Sequence, residues 1–327
     1  MRFVLRRLGF FIVTLWAAIS LNFLIPRLMP GNPALAMMAS FRGRVTGQAL
    51  KALEIAFGVK THASLLSQYF QYFGNVFTGH FGLSITFFPQ PVSHEVLQAL
   101  PWTLGLVGVT TVLAFVLGTL IGLVAGWRRG GKLDSVLPPV FVVTSAFPYF
   151  WVGLVAIYVF ALKLGWLPVS GGYATNDQIA FTWHFIGDVV RHSILPACTL
   201  LVTAIGGWIL TMRNTVITVL AEDYVRMARA KGLRPWTVMW GYAGRNAILP
   251  NLTGFAMSLG FVVSGAILVE YVFNYPGVGW MLLQSVENED YGLMQALFLL
   301  ITVAVLLAIL ISDVLTALLD PRTRELR

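Results

Sequence analysis

The sequence predicts an all-α polytopic membrane protein with six transmembrane helices, and three observations carry that prediction. Hydrophobic residues make up 57% of the chain and charged ones 11%, where a soluble domain of this size would be charged at roughly a quarter of its positions. Six apolar runs each reach the ~20 residues that a helix needs to cross a hydrocarbon core. The runs are solid, whereas a β-barrel would alternate apolar and polar residues in segments of about 10.

Taken in order, residues 1–8 form a basic N-terminus and 9–29 the first span. That span is too long for a signal-peptide core and lacks a clear small-residue cleavage site, so it is expected to be retained. Residues 30–101 make a long external segment whose middle reads as helix. Leu50, Leu53, Ile55 and Ala56, then Leu65, Leu66, Tyr69, Phe70 and Phe73, recur at helical spacing. This segment is expected to lie along the outer surface with its aromatic residues against the membrane or a partner. Spans follow at 102–127 and 136–162, then an external loop, 163–189, where Trp166, Pro168, Gly171, Gly172 and Trp183 mix turn formers with interface aromatics. Spans at 190–212 and 250–274 flank a basic loop, 213–249. An acidic loop, 275–291, leads to the last span, 292–319, and a C-terminal tail, 320–327.

Orientation follows from the basic residues. Arg2, Arg6 and Arg7 precede the first span, and Arg128, Arg129 and Lys132 join the second and third. Arg213, Arg226, Arg229, Lys231, Arg234 and Arg245 join the fourth and fifth, and Arg322, Arg324 and Arg327 end the chain. These are 15 of the 22 Lys and Arg residues, and the positive-inside rule makes them cytoplasmic, with both termini inside. The net charge of +8 is accordingly an orientation signal. Nucleic acid is not an expected partner, because no binding module or basic patch interleaved with exposed aromatics accompanies it.

Several catalytic or metal-binding patterns begin and fail. Gly126, Gly131 and Lys132 fit the start of a phosphate-cradling loop, but Leu133 replaces the Mg²⁺-binding hydroxyl, which leaves a tight turn. His94 and Glu95 open a zinc-helix pattern that Gln98 does not complete. No nucleophile elbow occurs. Cys198 is the single cysteine, so no intrachain disulfide can form, and it reads as a small core residue. No cofactor or metal site is expected on this chain.

Polar residues within the spans are the next candidates, since charge near the bilayer centre is costly. Glu270 lies near the outer end of the fifth span and reads either as an interface residue or as a functional carboxylate. Asp313 lies deep in the sixth, where a buried hydrogen bond or a contact with a basic end such as Arg322 is favoured over a proton relay. Pro148 frees a backbone carbonyl and kinks the third span beside Tyr149. Gly206, Gly207, Gly254 and Gly260 suit close helix packing. Ser258 and Ser264, with Pro148, Tyr149 and Glu270, are the candidates for lining a translocation path.

The segment from Glu222 to Pro250 carries the most information. Glu222 and Asp223 stand at a helix start and Arg229 and Lys231 near its end, each opposing the helix dipole. Gly232 is placed to cap this helix and Pro235 to begin another. Ala228 and Ala230 leave the backbone approachable, so the helix could enter a partner's groove with Arg226, Arg229 and Lys231 at the rim. Such paired caps are more order than a solvated basic loop requires.

Tyr224–Leu233, YVRMARAKGL, followed by Arg245, Asn246 and ILPN at 248–251, resembles the coupling-loop signature of permease subunits of bacterial ABC importers, in the dipeptide/oligopeptide/nickel branch. The opening LRRLGFFIVTLWAAISLNFLIPRLMPGNP, GHFGLS at 79–84, FPYFWVGL at 147–154, VFNYPGVG at 272–279, Asp290-Tyr291 and the ending LLDPRTR extend the resemblance almost end to end. Asn32 and His80 stand where the family usually has Asp, and the Gly232–Pro250 spacing is longer than in importers generally but similar to that of this branch.

The resemblance implies a type I permease fold in the bacterial inner membrane. It also implies a non-catalytic subunit that pairs with a second, homologous permease, docks two cytoplasmic ATPase subunits that carry ATP and Mg²⁺, and receives substrate from an external solute-binding protein. Tyr224, Arg226, Ala228, Arg229, Ala230, Lys231, Gly232 and Leu233 would be its ATPase-coupling residues. Peptides are the expected cargo, with oligosaccharide or nickel as alternatives. A proton-coupled transporter is the rival from another class, but it would want several intramembrane carboxylates and a repeated layout. An intramembrane hydrolase would need a converging catalytic set, and none is visible.

Overall fold

The computed structural model describes residues 2–28, 64–177, 179–180, 182–264 and 266–319. The helix expected around Leu50–Ala56, Asn32, the chain beyond Leu319 and the side chain of Asp313 lie outside the described residues. Regular structure among the described residues is helical, apart from one isolated bridge between Leu83 and Pro91.

The helices are α1 (Arg2–Leu28), α2 (Leu65–Thr78), α3 (Val92–Thr103), α4 (Val109–Trp127), α5 (Lys132–Ser145), α6 (Tyr149–Ala156) and α7 (Trp183–Val219). Then come α8 (Asp223–Ala230), α9 (Leu249–Phe261), α10 (Ile267–Val272), α11 (Val278–Glu287) and α12 (Tyr291–Leu319). A π-helical turn, Leu104–Gly108, joins α3 to α4 without a break, so Pro101 is absorbed and the rod starts ten residues before the expected span. Another π-helical turn, Ile157–Lys163, extends α6.

Among the described residues four helical stretches are long and apolar enough to cross a membrane: Arg6–Ile25, Val92–Trp127, Trp183–Val219 and Tyr291–Ser312. The other two expected spans are interrupted. Around Pro148 the chain does not merely kink: Pro148 is extended (φ −58°, ψ 131°) and serves as the N-cap of α6. A missing N–H is harmless there, because a helix start has no intrahelical partner for it. The run 250–274 is likewise divided between α9 and α10, with Ala266 out of helical conformation.

Glycine explains the tightest packing. Gly118, Gly122 and Gly126 recur every four residues along one face of α4, against α7. A Cβ at Gly122 would stand 2.5 Å from the Ile209 carbonyl oxygen, and one at Gly126 would stand 2.8 Å from that of Arg213. The two backbones approach as small residues allow in membrane bundles. Gly126, the start of the failed phosphate loop, is therefore a packing residue.

Gly260 meets Ala308 in the same manner where α9 crosses α12. α1 is fixed by polar contacts: Asn22 Nδ2 donates to Tyr72 Oη at 3.0 Å and to the Gln295 carbonyl at 2.8 Å. Cys198, expected in the core, is exposed. The buried face of α7 there is formed by Leu195, Pro196 and Thr199, and Cys198 falls outside it.

Candidate functional site

Three groupings carry the sequence candidates, spread from a basic end of the bundle to an end built around buried carboxylates. At the basic end α7 stops at Val219, and α8 begins after Glu222, in extended conformation. The predicted cap is present: Gly232 adopts φ +75° and Leu233 N–H returns to the Ala228 carbonyl at 3.4 Å. Pro235 opens the next helical stretch, 235–247.

α8 is amphipathic, and the division of its residues is informative. Val225 and Ala228 are buried against Val238, with Trp127, Val219, Leu220 and Leu233 around them. Ala228, expected to face a partner, faces the protein's own core because it lies one turn from Val225. Tyr224, Arg226, Met227, Arg229, Ala230 and Lys231 are exposed. Tyr224 Oη accepts from Asn246 Nδ2 at 3.0 Å, which joins the two halves of the resemblance motif. The Arg226 guanidinium is 3.7 Å from Asp223, an exposed pair. Arg229 stacks over the Trp127 ring, 5.0 Å from its centroid.

Asp134, near the start of α5, accepts from Arg213 Nε at 2.6 Å and from Gly130 N–H at 2.8 Å. These hydrogen bonds, the Arg213 one first, hold its carboxyl below the usual carboxylate range.

Further along, a cavity of about 610 Å³ opens beside the broken helix. Pro148 and Tyr149 line it from the break, Thr110 and Thr111 from α4, and Thr203 and Ala204 from α7. The three threonine hydroxyls donate to carbonyls of their own helices, Thr110 to Leu106 at 2.6 Å, Thr111 to Val107 at 2.7 Å and Thr203 to Thr199 at 3.0 Å. Each keeps acceptor capacity toward the cavity. Ser258 and Ser264 are not brought to it; their hydroxyls donate to the Phe255 and Phe261 carbonyls.

Glu270 is fully buried at the other end. Its Oε1 accepts from Thr103 Oγ1 at 2.9 Å and its Oε2 from the N–H groups of Gly279 and Trp280 at 2.7 and 3.3 Å. Thr103 Oγ1 in turn accepts from Val278 N–H at 2.7 Å. The carboxylate and the hydroxyl together satisfy the first three N–H groups of α11, which have no intrahelical partner. Gly277 is required beside them, because a Cβ there would collide with the Glu270 carboxylate and Thr103 Oγ1.

A second buried acid, Asp290, caps α12. Its Oδ1 accepts from Leu293 N–H at 3.1 Å, while Oδ2 accepts from the Ser84 hydroxyl and from the Ile85 and Thr86 N–H groups at 2.8 and 3.0 Å.

Sequence reasoning singled out Glu270 but missed its partner Thr103, and missed Trp127 and the glycine stripe. The stripe was legible as three glycines at intervals of four. Asp290 was legible as an N-cap, an Asp three residues before Leu293 at the start of an apolar run. Among the described residues no three His, Cys, Asp or Glu side chains converge as a metal site.

An apolar helical bundle with an exposed cationic helix, broken helices at Pro148 and Ala266 and a cavity between its helices has the build of a transport permease. The chain belongs to the family described as the binding-protein-dependent transport system inner membrane component, whose profile matches residues 118–325. It is 36% identical to the di/tripeptide transport system permease protein DppB of Pseudomonas aeruginosa, with 99% of each chain covered. It is 32% identical to the oligopeptide transport system permease protein AppB of Bacillus subtilis, over 98% of each chain. To the glutathione transport system permease protein GsiC of Escherichia coli it is 33% identical, over 99% of each. The chain is thus a permease subunit of an ABC importer.

Proposed function

We propose that this chain forms half of the translocation path of an ATP-driven peptide importer in the bacterial inner membrane. It crosses six times, at 9–29, 102–127, 136–162, 190–212, 250–274 and 292–319, with both termini and the basic end in the cytoplasm and the segment 30–101 outside. A second, homologous permease supplies the other half of the path. Two cytoplasmic ATPase subunits hold the ATP and Mg²⁺, and a solute-binding protein delivers cargo to the carboxylate end. This chain has no catalytic step of its own.

The observation that carries the reading is α8. Its apolar side, Val225 and Ala228, is used internally, so Arg226, Met227, Ala230 and Lys231 remain as an exposed surface on a rigid, capped helix. Peptide cargo is favoured because the relatives are named for di/tripeptides, oligopeptides and glutathione, all of them peptides.

Reversing two exposed charges, Arg226→Glu with Lys231→Glu, tests the docking. The cognate ATPases are expected to fall away during co-purification while the permease pair stays folded; retention of the ATPases would remove the coupling role. Cargo is tested separately, by mass spectrometry of the ligand that the cognate binding protein carries from cells. An oligosaccharide or nickel there would replace the peptide assignment and leave the permease role intact.

A further inference from the structure

The contact between Arg229 and Trp127 lies between the exposed surface of α8 and the interior of the bundle. Trp127 is the last residue of α4, and its ring lies beneath the Arg229 guanidinium at 5.0 Å. The same ring packs in two apolar clusters. One is formed by Val225, Ala228 and Val238 at α8, and the other includes Met212 and Val216 of α7.

The helix that ends in Trp127 is continuous with the other two groupings. Counting back along Val92–Trp127, Thr111 and Thr110 line the cavity, and Thr103 holds Glu270. At 1.5 Å per residue, Thr103 and Trp127 are roughly 36 Å apart on one rod. The rod is also stiffened laterally, because Gly118, Gly122 and Gly126 bring α4 into backbone contact with α7. A displacement applied at its cytoplasmic end would move the cavity wall with little loss to bending, since close-packed helices shift as bodies.

We propose that Trp127 is a positioning residue through which movement of α8 reaches the cavity, with Arg229 holding α8 to the ring by a cation–π contact. This rests on the docking of α8 with the ATPases. On this reading Arg229 serves the contact with Trp127, whereas Arg226 and Lys231 serve the partner. A tryptophan suits the position because its large indole face binds a guanidinium best among the aromatics and reaches both clusters.

The test uses the assembled complex of both permeases and both ATPases in proteoliposomes, with the cargo-loaded binding protein added outside. Three quantities are read: retention of the ATPases, the melting temperature of the complex, and the stimulation of ATP hydrolysis by the binding protein. Trp127→Ala is expected to keep the ATPases and to lower stimulation by about two- to fivefold, the range of an exposed cation–π contact; Trp127→Tyr is expected to restore most of it. A merely structural role would lower the melting temperature and leave stimulation in the surviving complex unchanged.

Should Trp127→Ala fail to assemble, Trp127→Phe and Arg229→Gln replace it, singly and together. A double variant no worse than the weaker single one supports a shared contact. Effects that multiply would overturn it, as would full stimulation in Trp127→Ala. The Arg226→Glu/Lys231→Glu complex runs in parallel. ATPases retained there would overturn the docking and this proposal with it, whereas ATPases lost there alongside full stimulation in Trp127→Ala would overturn this proposal alone.

Discussion

The two ends of the bundle handle charge in opposite ways. At one end Glu270 and Asp290 are buried, and the partners that hold them are N–H and hydroxyl groups at helix starts and in the 84–86 segment. At the other end Arg226 and Lys231 are exposed on an eight-residue helix whose inner face is apolar. A buried carboxylate that accepts from orphan backbone donors replaces the water it lost and locks elements together. An exposed cation gains little from its own chain, because surface pairs such as Arg226 with Asp223 contribute well under 1 kcal/mol. The carboxylate end is therefore built for this chain's own architecture, and the basic end offers charge to something else.

The most direct way to break this contrast is at Glu270. Glu270→Gln keeps the volume but turns an amide N–H₂ toward donors that need an acceptor, and leaving such buried donors unmet is expected to cost about 3 kcal/mol. The melting temperature of the purified permease pair should fall, with ATPase retention unchanged in the folded fraction. If transport failed while the melting temperature stayed at the wild-type value, Glu270 would act as a path carboxylate and the structural account of this end would be wrong.

A smaller loss is expected at Asp290. Asp290→Ala removes the cap of α12 and three donors' acceptor in the 84–86 segment, together about 2 kcal/mol. The segment's other ties persist, among them Ser84 N–H to the Gln90 carbonyl and Val92 N–H to that of Gly82. Hydrogen exchange should accelerate at Ile85 and Thr86 far more than at Leu200 or Thr203 in the middle of α7. Uniform acceleration would mean that Asp290 supports the whole bundle and not one junction.

How much of this was legible in the sequence depended on the range of the interaction. Apolar runs and the glycine at 232 are local signals: four of the six runs coincide with long apolar helices, and Gly232 closes α8 in the left-handed conformation that its position indicated. The breaks were harder. Pro148 announced a disturbance, but whether proline kinks or ends a helix depends on what packs beside it. The division between α9 and α10 had only the Ser264-Gly265 pair to mark it, a turn-forming dipeptide that equally suits close helix packing. Thr103 and Glu270 are 167 positions apart, and nothing in either neighbourhood names the other. Ala228 suits either side of a helix because it is small, and only the burial of Val225 one turn away decides that it faces the core and not a partner.

Asp134 sharpens the contrast by crossing it: a buried carboxylate at the basic end, but one that does have a cationic partner, Arg213 at 2.6 Å. Its folded-state affinity for protons is depressed, so the ionised form is what the fold stabilises. That contribution is fully present above the ordinary value of 3.8 and is lost as pH falls below it, through the lowered folded-state value. Asp134→Asn should therefore melt lower than wild type at pH 7 and at pH 5 by the same margin, worth about 1 kcal/mol, and the gap should close as acid protonates the wild-type carboxyl. A margin that persisted unchanged well below pH 3.8 would show that packing, and not the charge pair, holds α5 to α7, and the basic end would then owe none of its internal order to paired charge.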